Sequence, residues 1–242
     1  MRRSRSSRRT RHRVATWLVG GALIGCGGRV TTSPAVASCA TVRAVVLACQ
    51  ADIARIASCT TARGVMIRSG GALDTSALRA LTTITGDLVI GPTVGVEHVT
   101  LGELRTVGGT IRVASNGLLQ GVFLPRLEHA GRIEIDGNAV LTTLSMPRLV
   151  AVHGELRIVD NVNLELVDVS ALAAIDQALV LAGAPRLALV EADQLQRAAS
   201  VEIDAAKLPP DVAARLRAIA AGPSPPSPRG PDDPPTRLGP QR

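Results

Sequence analysis

Residues 131–152 read GRIEIDGNAVLTTLSMPRLVAV, and the chain repeats that pattern about every 23 residues. Apolar pairs with one residue between them recur as Val65/Ile67, Leu88/Ile90, Ile111/Val113, Ile133/Ile135, Leu156/Ile158, Leu179/Leu181 and Val201/Ile203. Their spacings are 23, 23, 22, 23, 23 and 22. Five further columns hold the same register. One runs Leu73, Val96, Leu119, Leu141, Leu164, Leu187, and the next Val99, Val122, Leu144, Val167, Val190 with Ser76 at its head. Leu78, Leu101, Leu124, Met146, Val169, Ala192 make a third, and Leu81, Leu104, Leu127, Leu149, Leu172, Leu195 a fourth. The fifth is Ile84, Val107, Ala130, Val152, Ile175, Ala198. So many columns at one period mark a solenoid.

The spacing inside one unit sets its type. Apolar residues two apart share one face of a strand, and a second such pair follows eleven residues after the first. Turn residues lie between the pairs, as in Ser115-Asn116-Gly117, Gly137-Asn138 and Asp160-Asn161. No stretch inside a unit is long enough for a helix. The expected fold is therefore mainly β, a right-handed parallel β-helix of about seven coils, each 22–23 residues long. Equivalent residues in successive coils would stack about 4.8 Å apart. Asn116, Asn138 and Asn161 would then form an internal amide ladder. A leucine-rich-repeat horseshoe fits less well, because Asn138 to Leu141 and Asn161 to Leu164 are one residue longer than that motif, and the units lack a helix.

The repeat Gly-x-Leu-x-Ile-x-x-Asn-x-x-Leu-x-x-Leu-x-Leu-Pro-x-Leu-x-x-Val resembles that of the receptor L-domain family, found in insulin and epidermal growth factor receptor ectodomains and in fungal cell-wall proteins. The entry segment Ala51 to Thr61 is similar to that family's capping helix and its Cys-Thr step into the first coil. The resemblance spans about residues 39–205 and implies a binding or recognition module. Residues 39–62 are thus expected to form an N-terminal cap, 63–206 the solenoid, and 207–221 a C-terminal capping helix that starts at Pro-Asp. Without such caps a terminal coil exposes its apolar interior.

Both ends carry other signals. Residues 1–25 pair an Arg- and Ser-rich start with the short apolar run Val14 to Ile24, the pattern of a secretory signal too short to span a bilayer. Leu23-Ile24-Gly25-Cys26 resembles the lipobox of bacterial lipoproteins, in which the cysteine receives acyl chains. The resemblance implies lipidation at Cys26, a tether over 26–38 and attachment to a cell-envelope membrane. Gly27 rather than Asp after the Cys favours the outer membrane, by resemblance to the enterobacterial sorting rule. Residues 222–242 hold eight of the 15 prolines and too little apolar surface to fold.

Three cysteines remain beyond Cys26, in an oxidising compartment. A helix over 50–58 would hold Cys49 and Cys59 about 15 Å apart, beyond the about 7 Å reach of a disulfide. Cys39–Cys59 is thereby favoured, which matches the cap disulfide of the receptor L-domain family, and Cys49 is the spare thiol.

Charge narrows the function further. The chain has 27 Lys and Arg against 20 Asp and Glu, but seven of those arginines precede Cys26. Without them the balance is neutral, which disfavours a nucleic-acid or polyanion binder. Phe123 is the one aromatic beyond Trp17, too few for base- or sugar-stacking platforms. His98, His129 and His153 do not stack in one column, although His129 and His153 come close across neighbouring coils near Glu128. The outward column Met66, Val89, Arg112, Glu134, Arg157, Val180, Glu202 alternates in sign at Arg112, Glu134 and Arg157, beside Asp87, Thr110, Arg132 and Glu155. Mutual neutralisation suits a solvated sheet face rather than a catalytic cleft. The expectation is a non-catalytic, lipid-anchored envelope protein with no metal or cofactor. Its partners are the membrane, through Cys26, and an envelope protein or glycan of unknown identity; the alternative is a spacer with no specific ligand.

Overall fold

The computed structural model describes residues 44–221. The readings of the signal segment, lipobox, tether, Cys39 and the Pro-rich tail lie outside the described residues.

The chain winds as a parallel β-solenoid of about seven coils at 23-residue spacing. The paired residues two apart line one long sheet, with strands in the order Val45–Leu47, Val65–Ile67, Leu88–Ile90, Thr106–Ala114, His129–Asp136, Leu156–Val159, Ala178–Ala182 and Ser200–Ile203. Every pairing is parallel, and from Val65 onward in the expected register, for instance Ile111 with Ile133 and Leu156 with Leu179. A second sheet has five strands, His98–Thr100, Gly121–Phe123, Thr143–Ser145, Leu166–Asp168 and Leu189–Glu191. The column at Ile84, Val107, Ala130, Val152 and Ile175 forms a third strand line, joined to the long sheet through the continuous strands Thr106–Ala114 and His129–Asp136.

The register also explains the spacing of 22 between Ile111 and Ile133. Val107 pairs with Ala130 but Thr110 with Arg132, so Gly108-Gly109 in one coil faces Gly131 alone in the next. Glycine is required along this corner from Gly86 to Gly154 because successive coils touch there, and Gln177 and Ala199 take the position in the last two coils. A Cβ on Gly86 would lie 2.5 Å from the Arg63 carbonyl oxygen, and one on Gly154 2.7 Å from that of Gly131. The leading glycine of the repeat is thus a packing constraint.

Interior positions are filled by the predicted columns. Leu81, Leu104, Leu127, Leu149, Leu172 and Leu195 are all buried, as are Leu119, Leu141, Leu164 and Leu187. The buried polar residues include Thr93, Asn116, Asn138 and Asn161, stacked at one corner. Asn116 Nδ2 donates to Asn138 Oδ1 (2.8 Å), and Asn138 Nδ2 donates to Asn161 Oδ1 (2.9 Å). The Nδ2 groups of Asn116, Asn138 and Asn161 donate to the carbonyls of Ile90, Val113 and Ile135, respectively, at 2.9–3.1 Å. The Asn138 and Asn161 oxygens also accept the backbone N–H of Asn116 and Asn138 (3.3 and 3.2 Å). Thr93 closes the ladder, its N–H and hydroxyl both donating to Asn116 Oδ1. The residue before each Asn takes a left-handed conformation, with φ of 58° at Ser115, 62° at Gly137 and 56° at Asp160.

Three local features depart from the repeat. Val45–Leu47 adds a rung inside the segment expected to be only a cap, pairing with Val65–Ile67 at a spacing of 20 rather than 23. That offset hid it from the periodicity. Helix α1 (Gln50–Ile56) follows, shorter than the expected 50–58, with Asp52 Oδ2 accepting the Ala48 and Cys49 N–H groups (2.9 and 3.1 Å). At the head of the five-stranded sheet, Ser76 is exposed in a 3₁₀ turn (Thr75–Ala77) rather than buried in a strand. Thr75 substitutes for the missing neighbour, its Oγ1 donating to the Thr100 carbonyl (3.0 Å) and accepting the Thr100 N–H (2.9 Å). At the far end, helix α2 (Pro210–Ala221) packs on Ser200–Ile203 and buries Leu208, Ala213 and Leu216.

Leu149 sits in mid-stack between Leu127 and Leu172. Leu149→Ala is expected to lower unfolding free energy by about 2–5 kcal/mol through the cavity left behind. Val150→Ala, at the exposed neighbouring position, is expected to change it by under about 0.5 kcal/mol. Urea denaturation of both variants checks the pair, and equal effects would contradict this packing.

Candidate functional site

With the interior filled, any chemistry must lie on the outer faces. On the long sheet the predicted charged column is in register, Arg112 facing Glu134 and Glu134 facing Arg157. Arg112 Nη1 and Glu134 Oε2 lie 2.9 Å apart. The expected second pairing does not form. Arg132, two residues before Glu134 on the same strand face, takes its other oxygen at 3.4 Å and also approaches Glu155 at 3.7 Å. Arg157 is left beside Val180 of the next coil and makes no ion pair among the described residues. Sequence reasoning placed Arg132 in a neighbouring column but paired charges only along columns, so the diagonal competitor was missed.

The corner and third strand line carry further cross-coil pairs. Arg105 meets Glu128 at 2.6 Å, and Arg126 pairs with Glu103. The structure brings His129 and His153 together, their rings stacked at 6.0 Å with a 12° interplanar angle. His153 Nδ1 lies 3.4 Å from Asp176 Oδ2, whose other oxygen pairs with Arg197 at 2.7 Å. These groups are exposed, and Asp176 is already engaged by Arg197. Among the described residues no group of three His, Cys, Asp or Glu side chains is arranged to hold a metal.

The outer face of the five-stranded sheet differs. Its columns are His98, Gly121, Thr143, Leu166, Leu189 and Thr100, Phe123, Ser145, Asp168, Glu191, with Glu97, Gln120, Thr142, Glu165 and Ala188 immediately before the strands. No Lys or Arg stands in any of them. Glu97, Glu165, Asp168 and Glu191 form no ion pair among the described residues; Asp168 instead accepts from the Ser145 hydroxyl at 2.9 Å. Phe123 folds its ring over Gly121, where a Cβ would come within 2.5 Å of Phe123 Cε2. His98 lies beside that ring, at 6.1 Å between centroids. Leu189 is 48% exposed.

This face runs into a depression of about 550 Å³ at its N-terminal end, whose lining includes Gln50, Asp74, Glu97, His98 and Thr100. Gln50 ties α1 to the 3₁₀ turn through two hydrogen bonds with the Asp74 backbone. Hydrogen bonds from the Ser76 side chain and backbone N–H, with Arg79 adding to them, hold the Asp74 carboxyl below its ordinary value. These bonds favour its anionic form. The five-stranded face and depression were missed as a unit at the sequence level, although the absence of basic residues from three adjacent columns was a readable signal.

In the cap, Cys49 is a free thiol whose Sγ lies 3.5 Å from Asp52 Oδ2, and Cys59 is buried at the other side of α1. No helix among the described residues is long and apolar enough to cross a membrane. No protein-family model, curated protein or solved structure matches the chain.

Glu134→Lys places a cation among Arg112, Arg132 and Arg157 and removes two ion pairs. The expected cost is about 1 kcal/mol at low salt, largely recovered at high ionic strength. Denaturant titration at two salt concentrations checks it, and a loss that salt leaves unchanged would show that Glu134 is more than a surface charge.

Proposed function

We propose that this chain is a non-catalytic, lipid-anchored envelope protein whose solenoid binds another envelope component, as a recognition module of receptor L-domain type. The anchor is Cys26, reached through Leu23, Ile24 and Gly25 of the lipobox-like run, and the outer membrane is favoured over the inner. Several acyl chains, each methylene contributing about 0.8 kcal/mol, hold such a protein firmly on a bilayer. In the cap, a Cys39–Cys59 disulfide is supported by the free Cys49 and by α1, which separates Cys49 from Cys59.

The observation that carries the binding reading is the inequality between faces. A spacer needs only a solvated, mixed surface, and the long sheet has one, with Arg112, Arg132, Glu134 and Glu155 neutralising one another. The five-stranded sheet instead sets unpaired acids among Phe123, Leu166 and Leu189. Such a single-sign, partly apolar patch costs solubility and self-repulsion unless something uses it.

Two measurements test this reading. Mass spectrometry of the mature protein should find an acylated N-terminal Cys26, and Cys26→Ser should release the folded domain or leave an uncleaved signal. Cross-linking in intact envelopes should then recover a discrete adduct. An unmodified N-terminus elsewhere would contradict the anchor, and the absence of any adduct would favour the spacer.

A further inference from the structure

We infer that the N-terminal end of the long sheet's outer face, centred on Val46, Met66 and Val89, rests on the surface of an anionic lipid bilayer. The folded domain itself, and not only its acylated cysteine, then touches the membrane. The inference rests on the anchor reading above and adds which part of the solenoid meets the lipid.

The sheet register builds the patch. Val46 faces Met66, Met66 faces Val89 and Val89 faces Arg112, so the outward column is apolar over its first three rungs and charged only from the fourth. Val46 is 46% exposed, and Met66 and Val89 are half-buried. Ala44 and Ala48 flank Val46 two residues to either side. Exposed arginines bracket the middle rung. Arg63 precedes it and Arg68 follows it, with Arg68 Nε donating to the Gly91 carbonyl of the next coil at 3.3 Å. Neither forms an ion pair among the described residues. Asp87, one residue before the third strand, has its Oδ1 engaged by the Thr110 N–H at 2.8 Å.

Three features select a bilayer as the occupant. The first is where the chain continues. Val45–Leu47 is the end strand of the sheet, and Cys26 lies 19 residues before Val45. Even fully extended, that span reaches at most about 65 Å, so this is the end of the solenoid that an anchored chain brings to the membrane. The second is charge. From Cys26 to Gly91 the sequence has six arginines and three acids, whereas from Pro92 to Ala221 it has eleven basic groups and fifteen acids. An anionic surface attracts the end that carries the patch and repels the far end. The third is size. Three rungs about 4.8 Å apart present far less than the roughly 800 Å² per partner of a stable protein interface, so a second copy or a protein partner gains little there. A tethered domain needs only a weak contact, because its anchor keeps the bilayer at high local concentration. Valine and methionine enter the boundary between headgroups and acyl chains, while arginine stems lie along it with their guanidinium groups among the phosphates.

The test places the full acylated chain, in a Cys49→Ser background, on vesicles of phosphatidylethanolamine and phosphatidylglycerol. An environment-sensitive fluorophore is attached at Val46→Cys or, as the control, at Val162→Cys, a valine of a distant coil with similar exposure (46% and 50%). Lipids that carry a doxyl quencher should quench the label at position 46 about threefold or more over that at 162. Adding Met66→Glu with Val89→Glu should bring the two labels to equal quenching. Arg63→Gln with Arg68→Gln should lower quenching at 46 on these vesicles but not on neutral phosphatidylcholine vesicles. Circular dichroism confirms that each variant is folded, and flotation reports the anchor separately. A chain that floats with both labels equally quenched would overturn the inference and leave the anchor intact. A label at 46 that is shielded from water yet unquenched by lipid would overturn it in favour of cover by another part of the chain or a second copy. A chain that does not float would overturn both.

Discussion

The buried amide ladder from Thr93 through Asn116 and Asn138 to Asn161 is the constraint on which the coil geometry depends. A chain that closes a coil in 22 or 23 residues must turn sharply after its first strand, and the turn directs backbone groups inward. Buried and unpaired, each would cost about 1–3 kcal/mol. An asparagine has both a donor and an acceptor on a short arm, so one side chain satisfies a carbonyl and an N–H of the preceding coil, as Asn138 does for Val113 and Asn116. Its partner in the next coil does the same, and the ladder ties turn to turn at the spacing the sheets require. No buried side-chain N or O atom among the described residues lacks a partner. Beyond Asn161 the position is Ala184, and the ladder stops there.

Much of this was legible before any coordinates. The seven recurring apolar pairs imposed the long sheet and its register, because a period of two within a strand and of 23 between coils leaves little freedom. Asn116, Asn138 and Asn161 were readable as a ladder for the same reason. What escaped lay where periodicity breaks. Val45–Leu47 joins the sheet at an offset of 20, so it carried no repeat signal. The turn at Thr75–Ala77 replaces a strand because a single threonine hydroxyl supplies both of the hydrogen bonds to Thr100. On the surface, column arithmetic found Arg112 and Glu134 but not the diagonal reach of Arg132, since an arginine spans about the distance between rungs and can choose among neighbours.

The two outer faces express different demands on one scaffold. Five successive coils present strands to both sheets, so the repeat itself does not bias charge toward either. The long sheet nevertheless spends acids such as Glu134 on cross-coil pairs, each worth at most about 1 kcal/mol at an exposed site, whereas Asp168 and Glu191 on the five-stranded sheet form no ion pair among the described residues. Stability arguments account for the first arrangement and not for the second.

The central claim is that inter-coil amide bonding holds the coils in register, and Asn138 tests it most directly. Its side chain donates to Val113 and to Asn161 and accepts from both nitrogens of Asn116. Asn163 makes one exposed bond, to the Ala139 carbonyl at 2.7 Å. The measurement is the unfolding free energy of Asn138→Ala and Asn163→Ala by urea titration of the full chain. The account predicts a loss above about 3 kcal/mol for the first and about 1 kcal/mol for the second; equal losses would contradict it.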